Sequence, residues 1–290
     1  GARAQGGSGK GASGRGPQQA KITRIGRELS RLPIEPRFAR MVVEAREHGV
    51  TDDVVAIVAG LTVQDVRERP AEQRGRADEL HGRFADPLGD LMTLLNLWNY
   101  LQKQQKELSS SAFRRLCKAE FLNFLRVREW MDLYRQISRT AKSVKGERKT
   151  AGREAERNET SEAGAAGGAA DAVHRSVLAG LLSHLGVRDD LQDRRTPSDR
   201  GRGGAAAPSR RKPAQEYVGA RGTRFALHPG SVLSKRPPEV VMSVELVETS
   251  RLFARGNATV DPTWAEALAG PLAKRQLSEP HWEKKQGTAV

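Results

Sequence analysis

A multidomain chain, α first and β second, is the fold class the sequence predicts: a helical bundle followed by a small β-barrel, with disordered inserts. Apolar residues recur at three- and four-residue steps through the first half, as in Leu88, Leu91, Met92, Leu95 and Trp98, the spacing of a helix that buries one side. From Tyr217 to Trp264 the pattern changes to short alternating runs bounded by turn residues, which fits a barrel or sandwich. Segments rich in Gly, Ala, Ser, Arg and Pro lie before and between these regions and lack the apolar surface that would offset the entropy of ordering.

Residues 1–20 are of this last kind and are expected to be disordered. Gly9-Lys10 invites a phosphate-loop reading, but the motif needs Gly at position 4 and Ser or Thr at position 11, where the chain has Ala4 and Gly11. Thr23 is an N-cap candidate for a short helix with Ile25, Leu29 and Leu32, stopped at Pro33. Pro36 opens a second helix through Phe38, Met41, Val42 and Ala45, with Gly49 in the C-cap position. Thr51, followed by Asp52 and Asp53, caps a third that reaches Leu61, and the two acids suit the positive end of its dipole. The charged run 67–76 contains Pro70 and reads as a connection.

A wide apolar face then starts at Leu88 and includes Leu94 and Leu101 on its flank. Ser109 to Ser111 start the next helix, whose stripe runs from Phe113 through Cys117, Phe121, Phe124, Val127 and Met131 to Tyr134 as one unit. Two long helices joined by a short loop are expected to pack antiparallel, with their aromatics in the core. The pattern dissolves over 141–170, an insert, and returns in a short helix from Val173 to Leu185 that ends at Gly186. A second low-complexity segment, 188–214, precedes the β region. There, Arg224 to His228 reads as a strand ending in the turn His228-Pro229-Gly230-Ser231. Val240, Met242, Val244 and Leu246 alternate with Val241, Ser243, Glu245 and Val247. From Ser250 to Val260, Leu252, Ala254, Gly256, Ala258 and Val260 point one way, and Arg251, Phe253, Arg255, Asn257 and Thr259 the other.

The 290 residues hold 49 Lys and Arg against 35 Asp and Glu, a formal charge of +14, which points to a polyanionic partner: RNA, DNA or an acidic membrane surface. The plainer alternative is that the surplus belongs to solvated low-complexity segments. A lone cysteine, Cys117, excludes an intrachain disulfide and any zinc site with more than one thiolate, and its place in a helical stripe reads as an inert buried thiol. The six histidines show no metal-type pairing, so neither metal ligands nor catalytic residues are assigned. No apolar run approaches a membrane span and the N-terminus has no signal-peptide core, so no membrane partner and a cytoplasmic location are expected. The chain starts with Gly rather than Met, the expectation being a fragment of something larger.

Several of these stretches resemble one family. Thr23 to Pro33 and Glu35 to Met41 resemble the end of the winged-helix region of DEAH-box RNA helicases. Leu95 to Leu101 and Phe121 to Trp130 look like the helicase-associated helical domain of the bacterial HrpA-type branch, and His81, Phe84 and Asp90 match a pattern there that is assigned to packing and capping. Tyr217 to Arg221, Phe225 to Ser231 and Glu245 to Phe253 are similar to its oligonucleotide-binding (OB) fold, and Ser278 to Glu283 resembles the start of the C-terminal extension. Composition and the resemblance together give this division: 1–20 a disordered tail; 21–48 the end of the winged helix; 49–187 the helical domain with insert 141–170; 188–214 a linker; 215–272 the OB-fold; 273–290 the start of the extension, the tail, insert and linker being departures from the family's compact pattern. It also implies an ATP-dependent RNA helicase whose motor domains use ATP and Mg, although the 290 residues contain neither a Walker A loop nor a DEAH tetrapeptide and are expected to be inactive as an ATPase alone. No cofactor is therefore expected in this chain, and the partners would be single-stranded RNA or ribonucleoprotein and the motor domains.

RNA would be held by its phosphates without reading sequence, with Arg221, Arg224, His228, Ser231, Lys235, Arg251, Phe253 and Arg255 as the candidate contacts. Phe253 offers a stacking surface or a core residue. The rival reading is a protein-interaction or motor-regulating module with little RNA affinity, docking through broad apolar helix faces around Trp98 and Trp130.

Overall fold

Local chemistry sets several of the helix ends. A computed structural model of the chain describes residues 22–146, 162–189, 215–270, 282–283 and 288–289. The tail 1–20, the middle of the insert (147–161), the linker residues 190–214 and most of 273–290 lie outside the described residues. Helix α1 (Arg24–Leu29) is capped by Thr23, whose hydroxyl accepts from the Gly26 amide at 3.0 Å. Helix α2 (Pro36–Glu47) opens on Pro36 and turns off at Gly49, at φ 73°. Helix α3 (Thr51–Thr62) begins at Thr51, but its N-cap position is Val50 and no side chain caps it, so the expected Thr51 cap is not made. A short helix α4 (Arg74–Gly82) begins within the last three residues of the run 67–76 read as a connection and continues beyond it; only Ala77 and His81 of it are buried, too few to leave an apolar stripe.

The long helix expected after Ser109 is two helices. Ser109 caps α6 (Ser110–Ala119) as anticipated, accepting from the Ala112 amide at 3.3 Å. The chain then breaks at Phe121, at φ 54°, and resumes in α7 (Phe124–Gly146) with the Asn123 carboxamide accepting from the Arg126 amide at 3.1 Å. Backbone bonds from Asn123 to Val66 (2.7 Å) and from Glu68 to Phe121 (2.8 Å) zip the break onto the loop after α3. Tertiary pairing outweighs the apolar stripe that runs across it. Helix α5 (Asp90–Glu107) meets α7 through Trp98, whose ring lies 5.0 Å from Trp130 and 4.7 Å from Tyr134.

Helix α8 (Glu162–Leu178) packs on α2 and α3 but ends well short of Gly186. Leu185–Arg188 is instead the first barrel strand, β1, paired with β2 (Glu216–Gly219) and β4 (Val240–Glu248). The reading of Val173 to Leu185 as one helix is thus corrected: four residues are enough for a strand when two neighbours supply its hydrogen bonds, and so short a run has no detectable period. Barrel residues therefore stand on both sides of the 188–214 segment. With β3 (Arg224–Leu227) and β5 (Leu252–Thr259) the strands close in the order β1-β2-β3-β5-β4, antiparallel except for β3 and β5. Helix α9 (Pro262–Ala269) follows, and two short strands, β6 (Trp282–Glu283) and β7 (Thr288–Ala289), pair with each other.

One core cluster spans the helices and continues onto the barrel through Val240, Met242, Val244, Ala258 and Val260. A second, of Tyr217, Phe225, Leu227, Leu233, Val241 and Ala254, fills the barrel itself. The strict alternation expected along β5 therefore breaks: Leu252 and Ala254 face the barrel interior, while Ala258 and Val260 face the helices. The reversal occurs at Gly256, at φ 64°, where a Cβ would lie 2.8 Å from the Val244 side chain. A glycine at a barrel corner lets the strand bend and change faces. Asn257, expected on the outer face with Arg255, is fully buried, bonded through its side chain to Ser243 (2.8 Å) and to the Ala254 carbonyl (3.0 Å).

Candidate nucleic-acid interface

The parallel pairing of β3 with β5 sets Ala226 against Phe253 and Leu227 against Ala254, and the His228 amide donates to the Ala254 carbonyl at 2.9 Å. These bonds bring the end of β3 beside the start of β5. The His228 ring meets the Phe253 ring edge-on, 5.9 Å between centroids, and the exposed Arg251 guanidinium covers Phe253 at 4.9 Å. Arg251, Phe253 and His228 thus form one cation–aromatic cluster, with the half-buried Phe253 in contact with both of the others. His228 accepts from the Gly230 amide through Nδ1 at 3.1 Å, which leaves the proton of the neutral ring on Nε2. Burial, with the charges of Arg255 and Arg69 outweighing that of Asp90, lowers its pKa below the usual imidazole value.

His228 also borders a cleft of 530 Å³ between the barrel and the helices. Its helical wall comes from the end of α3, the loop 63–69, the first turns of α5, and Trp130 of α7; its barrel wall comes from the turn 228–232 and from Glu245, Arg255 and Gly256. Arg67 and Arg69 line it opposite Arg255. Arg67 is held in a fork by Asp65, at 3.0 and 2.9 Å. Burial by itself would raise the Asp65 carboxyl, but the hydrogen bonds and charge of Arg67, helped by Arg69, hold it below the usual carboxylate range.

The cleft's shape is set at the start of α5. Asp90 does not cap its own helix; one carboxylate oxygen accepts from the Val232 amide and the other from the Asn257 amide, both at 2.9 Å. Beside it, the Thr259 amide donates to the Leu88 carbonyl at 3.0 Å, and Gly89 bridges to Ala258. Gly89, at φ 140°, comes so close that a Cβ there would meet the Asn257 carbonyl oxygen at 2.5 Å. Because β3 pairs only with the start of β5, the segment 88–90 docks on the edge that β3 leaves free along the rest of that strand and joins helix to barrel.

Of the eight candidate contacts, the cleft wall takes in His228, Ser231 and Arg255, while Arg251 and Phe253 join His228 at its mouth. Arg255 is exposed, and its ion pair with Glu245 is long, at 4.0 Å. Three candidates, Arg221, Arg224 and Lys235, are placed elsewhere, and Ser231, although in the wall, serves its own turn. Arg224 pairs with the buried Asp189 and stands 3.6 Å from Glu216. Ser231 is buried and caps the turn after it, accepting from the Leu233 amide at 3.3 Å. Arg221 is exposed in the β2–β3 turn at φ 57°, and Lys235 is exposed at the end of the turn before β4. Arg67, Arg69 and Asp90 escaped the sequence reading as site residues. The signal for the first two was a charged run in a connection, and for Asp90 a matching pattern attributed to capping. The histidines and Cys117 do not converge: among the described residues no group of three His, Cys, Asp or Glu side chains is placed to hold a metal. Cys117 is fully buried, and burial pushes its thiol up to about 11. Trp98 and Trp130 are 5% and 1% exposed, so the apolar faces that favoured a docking module are spent on the helical core. Among the described residues no helix is long and apolar enough to cross a membrane.

Residues 35–122 match the helicase-associated domain (HA2), ratchet-like, and residues 173–272 match the oligonucleotide/oligosaccharide-binding (OB)-fold. The OB match takes in β1, in keeping with the closed barrel, and the HA2 match takes in α2. The chain is 44% identical over 274 residues to the ATP-dependent RNA helicase HrpA of Escherichia coli (strain K12), a match covering 93% of this chain and 18% of that protein. It is 39% identical over 269 residues to the HrpA homolog of Haemophilus influenzae, again 93% of this chain and 18% of the relative. The human probable ATP-dependent RNA helicase DHX35 is 23% identical over 246 residues, 84% of this chain and 29% of that protein. The chain thus spans less than a third of the length of each of these relatives. The chain thus carries a ratchet-like helicase-associated (HA2) region followed by an OB-fold, in the order of the helices and barrel described above, and is similar to the part of the HrpA helicases that it matches.

Proposed function

We propose that this chain is the RNA-holding accessory part of an ATP-dependent DEAH-box RNA helicase, guiding a single strand by sequence-independent contacts while motor domains elsewhere in the whole protein use ATP and Mg. The observation that carries this reading is the stack of Arg251 over Phe253 against His228 at the mouth of a cleft rimmed by further arginines. A flat aromatic face accepts any base, and cations beside it accept any phosphate, so such a surface holds every sequence alike. A translocating enzyme needs that indifference. Arg251, Phe253, His228, Arg255 and Arg69 form this surface, with Lys235 as an outlying phosphate contact. Arg224 and Ser231 hold the barrel together and leave the list of contacts.

Anisotropy of a labelled single-stranded oligoribonucleotide, titrated with the full chain at low salt, tests the proposal. Arg251→Ala and Phe253→Ala are each expected to weaken binding about five- to fifty-fold, and Lys235→Ala by less. Binding that is absent in the wild type, or indifferent to both substitutions, contradicts the assignment.

A further inference from the structure

We propose that the cleft between helices and barrel is a nucleobase subsite, which takes one unstacked base of a bound strand while the phosphates stay at its rim. This rests on the RNA-holding reading and goes beyond it, because it places a base, not backbone, between the two domains. The cleft is lined on the helical side by the half-buried Leu61 and Leu94, with Leu91 and Trp130 behind them, and on the barrel side by Val232. Such a lining favours a flat apolar group over a phosphate.

The charges in the wall point the same way. Arg67 is forked by Asp65, Arg69 Nε is 2.9 Å from Asp78, and Arg255 faces Glu245. Both oxygens of Asp90 are bonded to barrel amides. An anion deep in the cleft would compete with Asp65 for the forked Arg67, whereas an uncharged heteroaromatic ring disturbs no pair, and the more exposed Arg69 and Arg255 stay at the rim for phosphates. Two polar groups remain for the edge of a base: the exposed carboxamide of Gln64 and the ring of His228. A carboxamide presents both donors and an acceptor, so the subsite tolerates different bases. His228 also touches Phe253, so a strand laid across the Arg251–Phe253 stack passes the mouth of the cleft.

The test uses the full chain with two probes of equal length, oligoadenylate and a ribose-phosphate strand without bases. It compares the wild type with Leu94→Trp, which fills the cleft from α5. The expected result is that Leu94→Trp weakens oligoadenylate about ten-fold and leaves the baseless strand unchanged. Because the enlarged side chain can disturb folding, a second measurement uses the wild type alone: 2-aminopurine is moved along the oligoadenylate and quenched with acrylamide. One position is expected to be protected several-fold more than its neighbours. Equal quenching at every position, or a folded Leu94→Trp chain that binds both probes as the wild type does, overturns the subsite while leaving the RNA-holding reading intact. Failure of the wild type to bind either probe at low salt overturns the RNA-holding reading itself.

Discussion

Replacing Asp90 with alanine removes the two hydrogen bonds by which the first residue of α5 holds the turn after His228 and the bend of β5. A hydrogen bond to a charged group contributes about 1.5–3 kcal/mol, and each amide left unpaired in a buried setting adds to the loss. Asp90 is half-buried, so water will partly replace it at one of the two amides, and the lower end of the range applies. A destabilisation of about 3–4 kcal/mol follows, a large share of an ordinary domain's stability. Asp90→Asn keeps one carbonyl acceptor but turns an NH2 group toward the other amide, and is expected to cost about half as much. Urea unfolding followed by far-UV circular dichroism measures both. Because Asp90 joins the two units, the alanine variant is also expected to split one transition into two as the barrel unfolds ahead of the helices. A loss below about 1 kcal/mol with a single transition would refute the claim that this carboxylate fastens the barrel to the helices.

Further expectations follow from the same structure. Arg224→Ala removes one ion-pair partner of the buried Asp189 carboxylate and is expected to destabilise the chain by about 1 kcal/mol in urea unfolding, with RNA affinity changed less than two-fold. His81 and His174 are buried with their pKa values lowered, first by burial, so the folded state favours the neutral rings. Their contribution is complete above the ordinary imidazole value of 6.5 and is lost as pH falls below it, so the urea midpoint should drop between pH 7.5 and about 5.5, and His174→Gln should flatten that drop. The Cys117 thiol, pushed up to about 11, should resist a thiol-reactive dye until denaturant is added. Finally, the purified chain should hydrolyse no ATP with or without RNA in a phosphate-release assay; RNA-stimulated hydrolysis would contradict the division of labour proposed above.

The fold class was legible because both domains bury wide apolar faces, whose period a sequence displays directly. Thr23, Pro36, Gly49 and Ser109 marked helix ends correctly, since caps are local chemistry. What stayed hidden depended on partners distant in sequence. The break at Phe121 is held by Val66 and Glu68, and nothing in the stripe from Phe113 to Tyr134 records them. Strand β1 is recognisable only once β2 and β4 lie beside it. Gly256 stood in a clean alternation, yet its positive φ turns the strand over and buries Asn257.

The candidate site was half legible for the same reason. Residue type and strand position pointed to Arg251, Phe253, His228 and Arg255. They could not tell these from Arg224, whose partner Asp189 lies in a different strand neighbourhood, or from Ser231, which is buried in its own turn. Nor could they reveal Arg67 and Arg69, brought to the cleft by a loop far upstream of His228 in the sequence.

The central claim, that this chain holds single-stranded RNA through phosphate contacts and base stacking, is tested most directly by the salt dependence of its binding. Anisotropy of a labelled oligoribonucleotide, measured across a sodium chloride series, should give a straight line of log affinity against log salt. Each phosphate neutralised contributes a slope of about −0.7, so three or four cations at the stack and cleft predict roughly −2 to −3, and Arg251→Ala should make the slope shallower by about 0.7. Affinity that does not change with salt, or a slope that Arg251→Ala leaves untouched, would contradict the account.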